Sequence, residues 1–200
     1  MGILWLLLLL LLTAALLLLL KVQLQRRPRP ASQGAGRSLF DLRTGDIVQF
    51  EGRDWVVEDR LIYDEDGFQW LEYLLRDGPD SRWLAVCEDD WLEVSWLEQG
   101  PAEFSQQLSG SGDFPKRIEW GGISYRLKEK GRATATASSR TMNRHLAQCR
   151  YADYEAPEQR VLSLESWSPG DLQLTVGRKI DPAAPQLLPG DGRSVYRPSS

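Results

Sequence analysis

Histidine and cysteine are scarce in this chain of 200 residues: one histidine, His145, and two cysteines, Cys87 and Cys149. That scarcity narrows the chemistry. A structural zinc site wants four ligands. His145, Cys149 and Asp153 share one face only if their segment is helical, and it reads partly as strand, so three candidates without a fourth make a poor metal site. A Cys–His nucleophile pair would need one cysteine folded against His145 with an oxyanion site beside it, and nothing in the spacing provides this. Gly-x-Ser-x-Gly, phosphate-loop and His-Glu-x-x-His signatures are missing too. The expectation is a protein that is not an enzyme and holds no cofactor or metal.

Basic residues are also thin where they would matter for nucleic acid. Between Phe40 and Phe104 there are five Lys/Arg against eighteen Asp/Glu, and phosphate contacts need a basic surface. From Ser105 onward the balance reverses, fourteen basic against ten acidic. The first twenty residues carry no charged side chain at all.

That uncharged stretch, Ile3 to Leu20, covers roughly 27 Å as a helix, enough to span a hydrocarbon core. No basic residue precedes it and it is long for a signal peptide, so residues 1–22 are expected to be an uncleaved transmembrane anchor. Lys21, Arg26, Arg27 and Arg29 all follow it. Basic flanks stay cytoplasmic, which places the N-terminus outside and the folded part in the cytoplasm, on a single-pass membrane protein. A cleaved leader is the rival, and it would put the domain outside the cell, where Cys87–Cys149 pairing becomes possible. Residues 23–38 read as a basic linker, with Pro28 and Pro30 opposing helix and Gly34-x-Gly36 adding flexibility.

Residues 39–189 read as strands. Turn chemistry at Glu51-Gly52, Asp66-Gly67 and Asp77-Gly78-Pro79 cuts the first part into Ile47–Phe50, Trp55–Tyr63, Phe68–Leu75, Arg82–Val86 and Trp91–Leu97. Alternation is imperfect: Phe68, Trp70 and Leu74 point one way and Leu71, Tyr73 and Leu75 the other, as in strands covered on both faces or in a small closed barrel. Phe68–Leu75 also fits a short buried helix. Gln99–Pro115 reads as a connecting loop. Strands resume at Arg117–Trp120, Ile123–Lys128, Arg132–Ser138, Gln148–Glu155, Arg160–Trp167, Asp171–Val176 and Gln186–Leu188, with a flexible tail over 190–200.

The second half echoes the first. Trp55-Val56-Val57 and Tyr125-Arg126-Leu127 match at a spacing of 70, and Tyr73, Arg82 and Leu84 recur as Tyr151, Arg160 and Leu162 at a spacing of 78. A single meander cannot bury its apolar face, but two can close one core. The expected fold class is all-β, a small barrel or sandwich built from two related β-meander halves, preceded by one transmembrane helix.

The pieces Gly45-Asp46, Gly52-x-x-Trp55, Trp83-Leu84, Tyr151-x-x-Tyr154-Glu155 and Leu164-Glu165-x-Trp167, in this order, resemble the bacterial family called domain of unknown function 4178, over roughly Leu42 to Pro189. The resemblance implies a β-rich domain, no established activity, and a setting of membrane stress or aminopropyltransferase-like systems.

The conspicuous side chains are two acidic turns, Asp64-Glu65-Asp66 and Glu88-Asp89-Asp90, with Trp91 and Trp96 beside the second. Large aromatics at a sheet edge suit a partner surface, and clustered carboxylates suit cations. Solvated turns that keep edges soluble are the plainer alternative. Glu165 and Trp167 are candidates for part of a pocket. The leading expectation is a membrane-tethered accessory or scaffold that binds another protein at the cytoplasmic membrane face, in a setting of membrane or envelope stress. The alternative is a sensor for a cationic small molecule, polyamine or metal, at the acidic turns.

Overall fold

The computed structural model describes residues 36–108, 113–137, 147–168 and 171–193, the side chains of 106 and 107 excepted. The expected membrane span, most of the linker, His145 and the far tail lie outside these residues. Among the described residues no helix is long and apolar enough to cross a membrane.

The strands are β1 (Ile47–Phe50), β2 (Arg53–Glu65), β3 (Phe68–Asp77), β4 (Asp80–Glu88), β5 (Leu92–Gln99), β6 (Arg117–Trp120), β7 (Ile123–Ala137), β8 (Ala147–Ala156), β9 (Arg160–Ser168), β10 (Asp171–Ile180) and β11 (Gln186–Leu188), with one helix, α1 (Ala102–Leu108), between β5 and β6. They pair antiparallel in the order β11-β1-β2-β3-β4-β5-β10-β9-β8-β7-β6, and β2 pairs in addition with β7. That last pairing joins the ends, so eight strands, β2–β5 and β7–β10, form a closed barrel, and β1, β11 and β6 extend it. Closure leaves the eight ring strands without an open edge, and only the short β11 and β6 end the sheet.

Two meanders, β1–β5 and β6–β10, therefore meet twice, β2 with β7 and β5 with β10. Each begins with a tight two-residue hairpin, Glu51-Gly52 or Gly121-Gly122, in which both residues have positive φ. This is the turn whose twist matches a hairpin and which glycine accommodates without strain.

Both long strands change face partway. In β2 the register slips between Val57 and Asp59, and in β7 between Leu127 and Glu129. The extra residue, Glu58 or Lys128, is a β-bulge, and a one-residue slip turns later side chains to the opposite face. Trp55 and Val57 thus pack outside the ring with Tyr73, Leu75, Leu84, Val86, Val94 and Trp96. Leu61 and Tyr63, after the bulge, face the lumen with Trp83, Leu97, Ala133, Ala135, Cys149 and Tyr151. Tyr125, before the second bulge, packs in a third core with Tyr154, Leu162, Leu164 and Leu174. The imperfect alternation in the sequence is this sharing of strands among three cores.

The two bulges lie 70 residues apart, the interval of the Trp55 and Tyr125 match, whereas strand pairing does not follow the spacing of 78. Val57 pairs with Leu75 and Leu127 with Tyr154, so Leu75 corresponds to Tyr154 and Tyr73 to Ala152. Tyr73 lies in the outer core whereas Tyr151 faces the lumen. Phe68–Asp77 is a strand, as expected, and not the alternative short helix. Two stretches differ from expectation. Ile123–Ala137 is one strand, because Gly131 continues the ladder opposite Tyr151. The expected loop after Gln99 contains α1, whose Phe104 and Leu108, four residues apart, cover the third core, with Phe104 4.8 Å from the Trp120 ring.

Candidate functional site

The inward face of a barrel strand is every second residue, and here that face is unusually polar. Pairing carries it around the ring: Glu72 opposite Ala85, Ala85 opposite Ser95, Ser95 opposite Lys179, and beyond β9, Asp153 opposite Ser163. Contacts between strands that are not ladder neighbours show that these side chains point into the lumen. The Tyr63 hydroxyl of β2 donates to Glu165 of β9 at 2.7 Å, and the Trp70 and Tyr151 rings of β3 and β8 meet edge-on at 5.2 Å.

A cavity of about 150 Å³ opens from the lumen at the barrel end formed by the β2–β3, β4–β5 and β8–β9 turns. Its apolar wall comprises Phe68, Trp70, Leu97, Tyr151 and Val161. Its polar wall carries five carboxylates, Glu72, Glu93, Glu129, Asp153 and Glu155, against two ammonium groups, Lys128 and Lys179.

Across the mouth four of these charges form one network. The Lys179 ammonium lies 2.7 Å from Glu93 and 2.7 Å from Glu155. Lys128, delivered by the bulge of β7, lies 3.2 Å from Glu155 and 3.7 Å from Glu93. The Trp91 indole donates to Glu93 at 2.9 Å. Burial pushes the Glu93 and Glu155 carboxyls upward, but the Lys179 hydrogen bonds and the two lysine charges outweigh it and hold both below the usual range. Lys179 is pushed down by burial and, more strongly, up by its two carboxylate partners.

Deeper in, the balance differs. Burial pushes the Asp153 carboxyl up to about 6, the neighbouring charges of Glu129 and Glu155 add to the rise, and a hydrogen bond from Ser163 together with the Lys128 charge opposes it. The Tyr151 hydroxyl is also raised, by burial and by its hydrogen bond to Glu65. Cys87 is pushed up to about 11 by burial and nearby carboxylates, which opposes thiolate chemistry. Both cysteines are free. Among the described residues no group of three or more His, Cys, Asp or Glu side chains is arranged to hold a metal ion.

The side chains conspicuous in the sequence divide. Asp64 is occupied within its own turn, accepting from the Gly67 amide at 3.1 Å and the Gln69 amide nitrogen at 2.8 Å. Asp66 is an exposed turn residue with positive φ. Glu65 instead reaches the lumen wall, where it accepts from the Arg132 backbone amide at 3.0 Å and from the Tyr151 hydroxyl. Glu88, Asp89 and Asp90 are exposed on the β4–β5 turn. Trp91 is 67% exposed at the rim of the mouth. Trp96 offers no surface: it is 5% exposed, packed edge-on against Trp55 and Phe50 at 5.5 and 4.9 Å. Glu165 and Trp167 do face inward, with the Trp167 indole donating to Glu165 at 3.2 Å. The cavity acids escape a reading of the sequence because four of the five stand singly between apolar neighbours, as Asp153 does between Ala152 and Tyr154, and Glu129 is masked by Lys128 and Lys130.

The sequence profile of the Domain of unknown function (DUF4178) matches residues 43–182. Uncharacterized proteins of Mycobacterium tuberculosis and Mycobacterium bovis are 31% identical over 163 residues, covering 72% of this chain and 75% of their own. An uncharacterized protein of Aquifex aeolicus is 24% identical over 147 residues, covering 71% of this chain and 79% of its own. No solved structure matches. With its β-domain spanned almost end to end by the profile, the chain belongs to the DUF4178 family.

Proposed function

We propose that the barrel is a non-catalytic receptor for a small organic cation, taken at the mouth of the lumen and held near the membrane by the N-terminal anchor. The observation that carries this reading is the cavity lining, five carboxylates against two ammonium groups beside an aromatic wall. Carboxylates supply the charge and acceptors that an ammonium needs, and aromatic faces attract cations. The acidic turns, where the sequence suggested a cation site, are mostly solvated, and the lumen replaces them. The absence of a metal-like grouping among the described residues favours an ammonium, such as a polyamine, over a metal ion. The setting, with a cytoplasmic barrel behind a single-pass span, rests on the basic residues Lys21 to Arg29 that follow the apolar run.

Thermal melts of the full chain with spermidine and with calcium test it. A spermidine shift that persists in about 0.3 M salt supports a partly enclosed site, because free surface pairs are largely screened there. A shift abolished by that salt, or produced equally by calcium, removes the reading.

A second reading keeps the protein-binding accessory or scaffold role. Phe68 and Trp91 are the exposed large hydrophobics of the described residues, at 40% and 67%, and both stand at the cavity end. Large aromatics of this kind anchor partners. Trp91→Ala should then abolish capture of a partner from solubilised membranes while the barrel keeps its fold by circular dichroism. The two meanders, with their matching hairpins and bulges, we take as copies of one ancestral unit.

A further inference from the structure

The proposed cation site already contains an ammonium. Lys179, near the end of β10, projects a four-carbon chain into the mouth and is 23% exposed, with its Nζ 2.7 Å from each of Glu93 and Glu155. The next inward residue on β10 is Gly177, which adds no side chain to the lumen beside it. Lys128 stands on the solvent side of the same carboxylates and is 44% exposed.

Building on the receptor reading, we propose that Lys179 is a tethered stand-in for the ligand, and that the ligand is a short primary alkylammonium that takes its place between Glu93 and Glu155. The chemistry of the seat selects this class. An ammonium has three donors, and two carboxylate oxygens at 2.7 Å take two of them. A quaternary ammonium has the charge but no N–H, so it cannot restore those bonds. Trp70, Leu97 and Val161 give the ligand's carbons an apolar wall. A cavity near 150 Å³ admits a molecule about the size of benzene. That fits a short amine and excludes a nucleotide.

Competition then sets affinity. While Lys179 occupies the seat, only the fraction of molecules with it swung outward can bind, and the apparent affinity falls by that fraction. Replacing the lysine with alanine removes the competitor and vacates the ammonium with its three outer carbons, a slot that opens onto the cavity, where the fourth carbon of n-butylammonium has room. Lys128 remains to offset part of the repulsion between Glu93 and Glu155 once the seat is empty.

The test uses the full chain in detergent, titrated by calorimetry with n-butylammonium and with tetramethylammonium at matched ionic strength, in wild type, Lys179→Ala and Lys179→Arg. The expected result is that Lys179→Ala binds n-butylammonium at least tenfold more tightly than wild type, Lys179→Arg does not, and none binds tetramethylammonium. Adding Glu93→Gln and Glu155→Gln to Lys179→Ala should abolish the gain. If wild type binds spermidine but Lys179→Ala binds n-butylammonium no more tightly than wild type does, the stand-in idea is overturned and the receptor reading survives. If no variant binds any amine, both fall. Should Lys179→Ala not fold, Lys179→Met keeps the packing and loses the charge: binding at least threefold tighter than wild type supports the proposal, and unchanged binding overturns it.

Discussion

The backbone amide of Gly190 donates a 2.7 Å hydrogen bond to the Asp46 carboxylate, 144 residues earlier in the chain. Asp46 is fully buried, also accepts from the Arg43 amide at 2.8 Å, and forms an ion pair with Arg37 at 2.6 Å. One carboxylate thus fastens the lead-in to β1 and the exit from β11 together. Asp46→Asn is expected to cost about 2–4 kcal/mol, because it leaves a buried guanidinium partner uncompensated. The urea midpoint checks this, and exchange of the β1 and β11 amides should quicken more than that of the ring strands. A chain beginning at Gly36 should melt with the full-length protein, and one beginning at Leu42, lacking Arg37, should not.

At the β2–β7 closure, Gly131 leaves room for two side chains of other strands. A Cβ there would collide with the Glu65 carboxylate and lie 2.8 Å from the Tyr151 ring. Gly131→Ala therefore displaces the Glu65 contacts to Arg132 and Tyr151, and a loss of about 1–3 kcal/mol is expected. Glu65→Gln, which keeps the shape and removes the charge, should lose less than Gly131→Ala in the same melt.

The β5–β10 closure is tighter. A Cβ on Gly177 would overlap the Trp96 carbonyl oxygen and lie 2.9 Å from the Leu97 Cα, both backbone. Backbone cannot rotate away as a side chain can, so Gly177→Ala should cost more than Gly131→Ala, above about 3 kcal/mol, or prevent folding. Expression with circular dichroism distinguishes these outcomes from tolerance.

Asp153 gives a pH dependence of definite sign. Its carboxyl is raised from 3.8 to about 6 in the fold, so between those values the unfolded chain gives up the proton while the fold retains it. The fold loses stability as pH rises through that window, and the loss stays constant above it. Asp153→Asn should therefore stabilise by about 1–3 kcal/mol at pH 7 and make no difference below about pH 3.5, by urea unfolding at the two pH values.

Turn chemistry made the hairpins legible, although it split β7 in two at Gly131 and so gave one strand too many. Glu51-Gly52, Asp66-Gly67 and Gly121-Gly122 announced hairpins, and each has consecutive positive φ values. The bulges were not legible, since Glu58 and Lys128 are ordinary residues and nothing local marks the slip. Closure was suggested by apolar residues on both faces of Phe68–Leu75 but rests on long-range pairing of Leu61–Asp64 with Thr134–Ala137. The helix Ala102–Leu108 is seven residues with a single apolar pair at helical spacing, too short to show a period. The cavity was hidden for the same reason as closure. Glu93 and Lys179 sit on different meanders and become neighbours only because β5 pairs with β10. Runs of acid on exposed turns draw the eye, whereas isolated acids on inward positions do not.

The two junctions between meanders each join a strand to its own counterpart, β2 to β7 and β5 to β10. A second copy of the chain can therefore supply the missing meander to the first and receive one in return, with every ladder preserved and only the connection between β5 and β6 rerouted. Such an exchanged pair would hold two complete lumens, each walled by both polypeptides, and Lys179 of one copy would then sit on the glutamate contributed by the other at Glu93.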